Sequence, residues 1–283
     1  MEREEPRKQR VQGAVRLGAS LDVLGWFDLY GHVSTGATYT SRWSTLYDLE
    51  GGDPSEFPLY FRRLWVERRW GVTRVQLGAI PPIKGIASST GIDADGWIDG
   101  ARLEFDEGGT SVEFVAGALR ELDRPNVFNR DRSPNYYELE LTQQISRALL
   151  VEASFEKLDD GDFLRGEVRV DLDTWLPVRV GAEGIYDPRR ETGIGGVTLA
   201  SDALAALGDA WRDRLNLRIW YAYIAPDVGL RGAVADDFVQ FGHALSLFAK
   251  GRLTDTGALG WFARGVWSKT PRITAGLSLS VRR

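Results

Sequence analysis

The chain of 283 residues holds two histidines and no cysteine, so thiolate ligation, thiol nucleophiles and His-rich metal clusters are excluded. What remains is hydroxyl, carboxylate and guanidinium chemistry. His32 and Ser34 stand two residues apart, on one side of any extended segment. An imidazole so placed activates a hydroxyl for acyl transfer once a third polar group orients it. Attack on a lipid ester needs that pair on the apolar side of its strand, and the local alternation puts both on the polar side. They are read as two polar residues, and no catalytic residue is expected. His243 falls between Phe241 and Leu245 on an apolar register, which a β-bulge or a position at a membrane interface would explain. Asp159-Asp160-Gly161-Asp162 lacks the ligand spacing of a calcium loop and reads as a hairpin connection. Gly193-Ile194-Gly195-Gly196 does not follow the strand–glycine–helix order of a phosphate cradle and reads as a loop. Neither a metal nor a cofactor is expected.

The larger body of chemistry lies in charges that recur at every second residue. On one register acidic residues gather in the middle of the chain: Glu113, Glu138, Glu140, Glu152, Glu156, Glu167, Asp171 and Glu183. On the same register arginines dominate toward both ends: Arg16, Arg42, Arg74, Arg102, Arg179, Arg218, Arg264, Arg272 and Arg282. Arg165 and Arg169 break the acidic set, and Asp22, Asp28 and Glu104 the basic one. If the first and last strands are neighbours in a closed sheet, the arginines form one continuous wall facing the acidic one. Walls of opposite sign set up a transverse field that orients dipolar solutes and selects ions. The same residues would equally pair across strands and fill the interior.

Strands must position these residues. Val11, Gly13, Val15, Leu17, Ala19, Leu21 and Val23 alternate with Gln12, Ala14, Arg16, Gly18, Ser20 and Asp22, a period of two. Ile273, Ala275, Leu277, Leu279 and Val281 repeat the pattern at the other end. Similar faces between them bring the number of strands to about fourteen, within a range of twelve to sixteen. Leu59–Trp70 is extended, with arginines on both of its faces. Tight connections are expected at Gly25-Trp26, Trp70-Gly71, 106–109, Ser146-Arg147, 173–175 and 268–271. Long ones are expected at 44–58, 81–95, 120–134 and 188–212. Short turns on one rim and long loops on the other mark a transmembrane barrel. The stretch 200–213 suits a short helix capped by Ser201 or Asp202, folded over the mouth.

Two belts of aromatics accompany the rims, as expected at membrane–water interfaces. Trp26, Trp70, Phe105, Trp175 and Trp267 fall at the short-turn ends. Tyr39, Trp43, Trp97, Tyr136, Tyr186 and Trp211 fall toward the long-loop ends. A soluble sandwich would turn the apolar faces inward. Their many small residues, Gly13, Ala19, Gly31, Ala79 and Ala101 among them, suit lipid better than a packed core. No run approaches the roughly 18 apolar residues of a membrane helix. The small net charge of −5 argues against a nucleic-acid partner. The expected fold is therefore all-β: a closed antiparallel transmembrane β-barrel over residues 11–283, preceded by a charged tail over residues 1–10. That tail offers no hydrophobic stretch for export, so the sequence is read without its signal peptide. The expected setting is the bacterial outer membrane. Lipid surrounds the barrel, small polar or charged solutes pass through it, and protein partners or a homo-oligomer are possible. An even strand count would put both termini on the long-loop rim.

Residues 61–105 add a resemblance. They carry Arg-Arg-Leu-Trp-Val-Glu before a turn, Arg-Val-Gln-Leu-Gly-Ala ending the next strand, then a loop and Asp-Gly-Trp-Ile-Asp-Gly-Ala-Arg-Leu-Glu-Phe. This stretch, about a sixth of the chain, resembles porins of the alginate-export type. The resemblance implies a porin architecture with an arginine-rich lumen for acidic polysaccharide, in which Arg74 and Arg102 would be lumenal. The acidic wall departs from that pattern, and so does the ending Val281-Arg282-Arg283, where such chains usually close on an aromatic residue.

Overall fold

The computed structural model describes residues 11–36, 39, 47–48, 59–82, 92, 96–173, 177–235, 241–256 and 258–280. Its strands are β1 (Gln12–Gly13), β2 (Arg16–Val23), β3 (Phe27–Thr35), β4 (Tyr47–Asp48), β5 (Leu59–Trp70), β6 (Thr73–Ile80), β7 (Ile98–Glu107), β8 (Thr110–Ala118) and β9 (Tyr136–Gln144). They continue as β10 (Leu149–Leu158), β11 (Gly161–Asp173), β12 (Pro177–Asp187), β13 (Thr192–Asp202), β14 (Asn216–Ile224), β15 (Gly242–Arg252), β16 (Leu259–Trp267) and β17 (Arg272–Leu279). β1 pairs with β4. The other fifteen form one sheet in chain order, from β2 at one edge to β17 at the other. Each is antiparallel to its neighbours, as expected of strands joined by direct connections.

The sheet is inside out. On β9, Leu139 and Leu141 are 55% and 49% exposed, while Glu138 and Glu140 on the other face are 1% and 8% exposed. The same alternation buries Glu152, Glu156, Arg165, Glu167 and Glu183 and exposes Phe155, Leu164, Val168 and Val180. The pleat sends successive side chains to opposite faces, so one apolar and one charged face follow directly from the period of two. Here the charged face is the inner one.

Four expectations need correction. Among the described residues the sheet has fifteen strands, one above the expected fourteen and inside the range of twelve to sixteen, because Thr192–Asp202 is a strand and not part of a loop over 188–212. Gly193, Gly195 and Gly196 weaken its alternation, yet it pairs residue by residue with β12 and β14. Every later strand therefore runs opposite to the direction the sequence suggested. β2 starts on the loop rim and β17 ends on the turn rim. Secondly, among the described residues β2 and β17 are the edges of the sheet and no pairing joins them. Thirdly, loop sorting holds only as far as β9. Connections of two and four residues, 159–160 and 188–191, sit on the loop rim, and the segment 203–215 lies on the turn rim. Fourthly, 200–213 holds only two short 3-10 turns, Ala205–Leu207 and Asp209–Trp211, on the turn rim and away from the loop-side mouth.

The ambiguous facing of Leu59–Trp70 has a local cause. The pairing of β3 with β5 shifts between His32 and Val33, so that Arg62 is left over as a bulge residue. Beyond the bulge Arg63, Glu67 and Arg69 face inward. Arg68 faces outward, lies over Trp70 at 5.4 Å and donates to the Gly25 carbonyl at 3.0 Å. A cation at the outer end of a strand reaches the rim in this way. The apolar core sits on the loop-rim part of the inner face, where Ile98, Tyr136, Phe163, Ile185, Ile224 and Val266 meet Leu119, Val228 and Val234 from the connections.

Candidate functional site

The inner face of β9–β12 carries the densest chemistry. Glu152 stands opposite Glu167 across β10–β11, and Glu167 opposite Glu183 across β11–β12, contacts that would repel in isolation. Arg165, with its side chain fully buried, resolves them. It lies 2.5 Å from Glu167, 3.3 Å from Glu183 and 3.8 Å from Glu140, and it pairs closely with Glu152. Arg169, two residues on, pairs with Glu167 and lies 3.5 Å from Glu152. The motif Arg-x-Glu-x-Arg thus places a carboxylate between two guanidiniums along one strand. Arg165 and Arg169, read from sequence as exceptions, supply the positive charge that offsets the facing carboxylates of the acidic sector.

Two connections are tied to the sheet at the loop rim, each through one buried arginine: one reaches the inner face of β10, the other the outward register of β7. Between β14 and β15 a 3-10 turn, Pro226–Val228, leads into the one-turn helix α1 (Leu230–Ala233). Arg231 on α1 donates to both carboxylate oxygens of Glu156, at 2.7 and 3.3 Å, and both side chains are fully buried. Between β8 and β9, Arg130 donates to Asp99 at 2.7 and 2.8 Å and to the Arg62 carbonyl at 3.1 Å, and lies 4.1 Å over the Trp97 ring. Neither arginine was singled out in the sequence; each sits in a connection without periodicity.

The sector from β14 to β17 is different. Its inner positions carry Arg218, Lys250, Arg252, Arg264 and Arg272 and, among the described residues, no carboxylate. Lys250 and Arg252 were missed, although they continue the polar register of β15 through Ser246. Arg264 donates to Ser246 at 3.3 Å and lies 4.6 Å over Trp220. Arg218 and Lys250 are exposed toward the turn rim, and Arg272 and, on β2, Arg16 are exposed at the loop rim. Elsewhere the expected walls mix. Arg179 chelates Asp171 at 2.6 and 3.0 Å within the acidic sector. Arg102 lies 3.1 Å from Glu113, and Arg74 pairs with Glu104. Arg42 and Arg282 lie outside the described residues.

Along each central strand the inner face opens toward the turn rim. On β14, Ile224, Ala222 and Trp220 are buried and Arg218 is exposed; on β12, Asp187, Ile185 and Glu183 are buried and Arg179 is exposed. At the loop rim the two short turns are tied together by Arg190–Asp160 at 2.6 Å and Arg189–Asp162 at 2.7 Å. The hydrogen bond and charge of Arg190 hold the Asp160 carboxyl below the usual carboxylate range.

The remaining candidates settle into structural contacts. His32 pairs with Arg63, and Ser34 donates to the Thr35 carbonyl at 2.9 Å. Asp159 and Asp160 form the β10–β11 turn. His243 opens β15 on the outer face in unbroken register, at the loop rim, with its ring 4.8 Å from Tyr223. The aromatic belts need revision. Trp26, Trp70, Trp211 and Trp267 are exposed, but Tyr39, Trp97 and Tyr136 are fully buried. Tyr136 shares the inner register with Glu138 and donates to it at 2.9 Å. Trp211 and Trp267 exchange rims because β13 reverses the strands after it. Trp175 lies outside the described residues.

No protein-family model matches the chain, and no curated protein matches it by sequence. Solved structures do match. A mutant of Rhodobacter blastica porin superposes with a TM-score of 0.55 at 9% identity, covering 93% of this chain and 88% of the porin. Pseudomonas aeruginosa OpdO superposes with a TM-score of 0.52 at 13% identity, covering 85% of this chain and 67% of OpdO. The chain has a porin-like β-barrel fold.

Proposed function

We propose that the chain is a porin-like channel of a Gram-negative outer membrane, closed around an aqueous lumen and passing small polar or charged solutes passively. The observation that carries this reading is the inverted sheet: leucines exposed on one face, carboxylates and guanidiniums buried on the other. A sheet so built suits hydrocarbon outside and water inside. The porin-like fold supports it. Exposed Trp26, Trp70, Trp211 and Trp267 then sit at the membrane interfaces, and Arg218, Lys250 and Arg272 face the acidic sector across the lumen. Acidic polysaccharide, which the alginate-type resemblance implies, is not adopted, because the carboxylates of β9–β12 would repel it. Heat-modifiable migration in detergent gels together with planar-bilayer recording tests the reading. Steady, ion-selective openings of the refolded chain are expected. A protein that stays monomeric and folded in buffer without detergent would end it.

A second reading, a structural or partner-binding barrel of an export or surface complex, is favoured by the packed loop-rim part of the inner face. Heat-modifiable migration with an electrically silent bilayer would select it.

A further inference from the structure

At the loop rim of β10–β12 the outward face carries charge. Lys157 and Asp162 stand opposite each other across β10–β11 on the outward register, 3.1 Å apart. Arg189, from the turn between β12 and β13, reaches the same carboxylate at 2.7 Å. The cations are 44% and 69% exposed and the carboxylate between them only 13%, so the trio presents one net positive charge outward.

Below that charge the same face loses its side chains. Gly166, Gly184 and Gly195 are paired in one row across β11, β12 and β13, on the register of Leu164 and Val197. Gly184, Gly193 and Gly195 floor a depression of about 380 Å³, walled by Leu164, Tyr186 and Tyr223. The fold does not require glycine along that row. None of the three has a positive φ. An added Cβ would meet nothing within 4 Å at Gly195, the Ile194 carbonyl at 3.5 Å at Gly184 and the Glu152 carbonyl at 4.0 Å at Gly166. Glycine weakens a strand and marks places where a ligand or another backbone comes close. Among the described residues nothing comes closer than these ordinary contacts, which leaves an occupant from outside the chain.

Resting on the membrane reading above, we infer that this patch binds a phosphate-bearing anionic lipid of the loop-side leaflet. Its headgroup meets Lys157 and Arg189, and one acyl chain lies in the glycine-floored depression. Guanidinium and ammonium groups both bind phosphate, and a net positive charge at the membrane surface draws anionic lipid. Tyr186 lies one row below the cations and Tyr223 two rows below. The Tyr223 ring is 4.8 Å from His243, whose Nδ1 is 2.5 Å from the Tyr221 hydroxyl. Polar tips on an apolar register suit the ester groups beneath a headgroup. A protein surface seated here would have to desolvate both cations, whereas a lipid phosphate meets them at the water boundary.

The probes are dioleoyl phosphatidylglycerol and dioleoyl phosphatidylcholine, offered to the refolded full chain in detergent, with bound lipid counted by native mass spectrometry. One net charge should favour the anionic lipid by about fivefold. Lys157→Gln combined with Arg189→Gln should abolish that preference. Gly195→Leu, or Gly184→Leu in its place, should lower retention of both lipids and leave their ratio unchanged. Inorganic phosphate in excess should displace neither. Equal retention by the unaltered chain and the variants, or release of the lipid by phosphate, overturns the site. Loss of heat-modifiable migration in the unaltered chain overturns the membrane reading instead; with migration intact and no preference, the lipid site alone falls.

Discussion

Around β11 the inner side chains of Phe163, Arg165 and Glu167 are buried, and four carboxylates from four strands converge on one guanidinium. On β2 and β17 the same two-residue alternation produces residues exposed on both faces. The alternation is as regular in the edges as in the centre. What separates the regions is the number of neighbours: β11 has a strand on each side carrying matched charge, and each edge strand has one. Alternation decides which way a side chain points, and cross-strand partners decide whether that direction is stabilised.

The sharpest break of this contrast is Arg165→Met. It leaves Glu152, Glu167 and Glu183 facing one another on a buried surface, and removing one partner of a buried ionic set costs about 3–5 kcal/mol. The heat-modifiable band should shift to a markedly lower temperature, with partial recovery in Arg165→Lys; an unchanged transition would show that the cluster does not stabilise the sheet. Arg231→Ala should cost less, about 1–3 kcal/mol, because its one-turn helix can retreat and let water reach Glu156. Limited proteolysis should then cut within 225–235 while the strands stay intact. Arg179→Ala removes a half-exposed pair with Asp171 and should cost about 0.2–1 kcal/mol, a difference that shrinks in high salt. In the edges, Leu277→Ala should move stability by no more than about 0.5 kcal/mol, the range for sites with few contacts. The smallest effect concerns Asp160. Its carboxyl is held low by Arg190, so its contribution is full above the ordinary carboxylate range and is lost as pH falls through the depressed value. Comparing the acid limb of unfolding with that of Asp160→Asn checks the sign, and a steeper limb in the variant would contradict it.

Sidedness was legible from sequence because the pleat imposes it locally, and the inward placing of Glu113, Glu138, Glu140, Glu152, Glu156, Glu167 and Glu183 follows from that alone. Tyr136 was legible too, since it shares a register with Glu138, but aromatic identity was weighed above parity. Lys250 and Arg252 needed only the polar register of β15 carried two residues further. β13 was hidden by glycines that give neither face a clear character, and one missed strand exchanged the rims of everything after it. The bulge at Arg62 leaves no local trace, because it is set by how β5 meets β3. Arg130 and Arg231 were beyond reach: their partners lie 31 and 75 residues away, and nothing periodic marks them.

Those two arginines are anchored at one rim only. In the proposed channel, a solute arriving from the turn side meets exposed Arg218 and Lys250 before any packed side chain, whereas the opposite approach begins against Val228, Val234 and the guanidinium of Arg231 tied to Glu156. The molecule is therefore polar along its own axis, and reversing an applied voltage should give currents of unequal size.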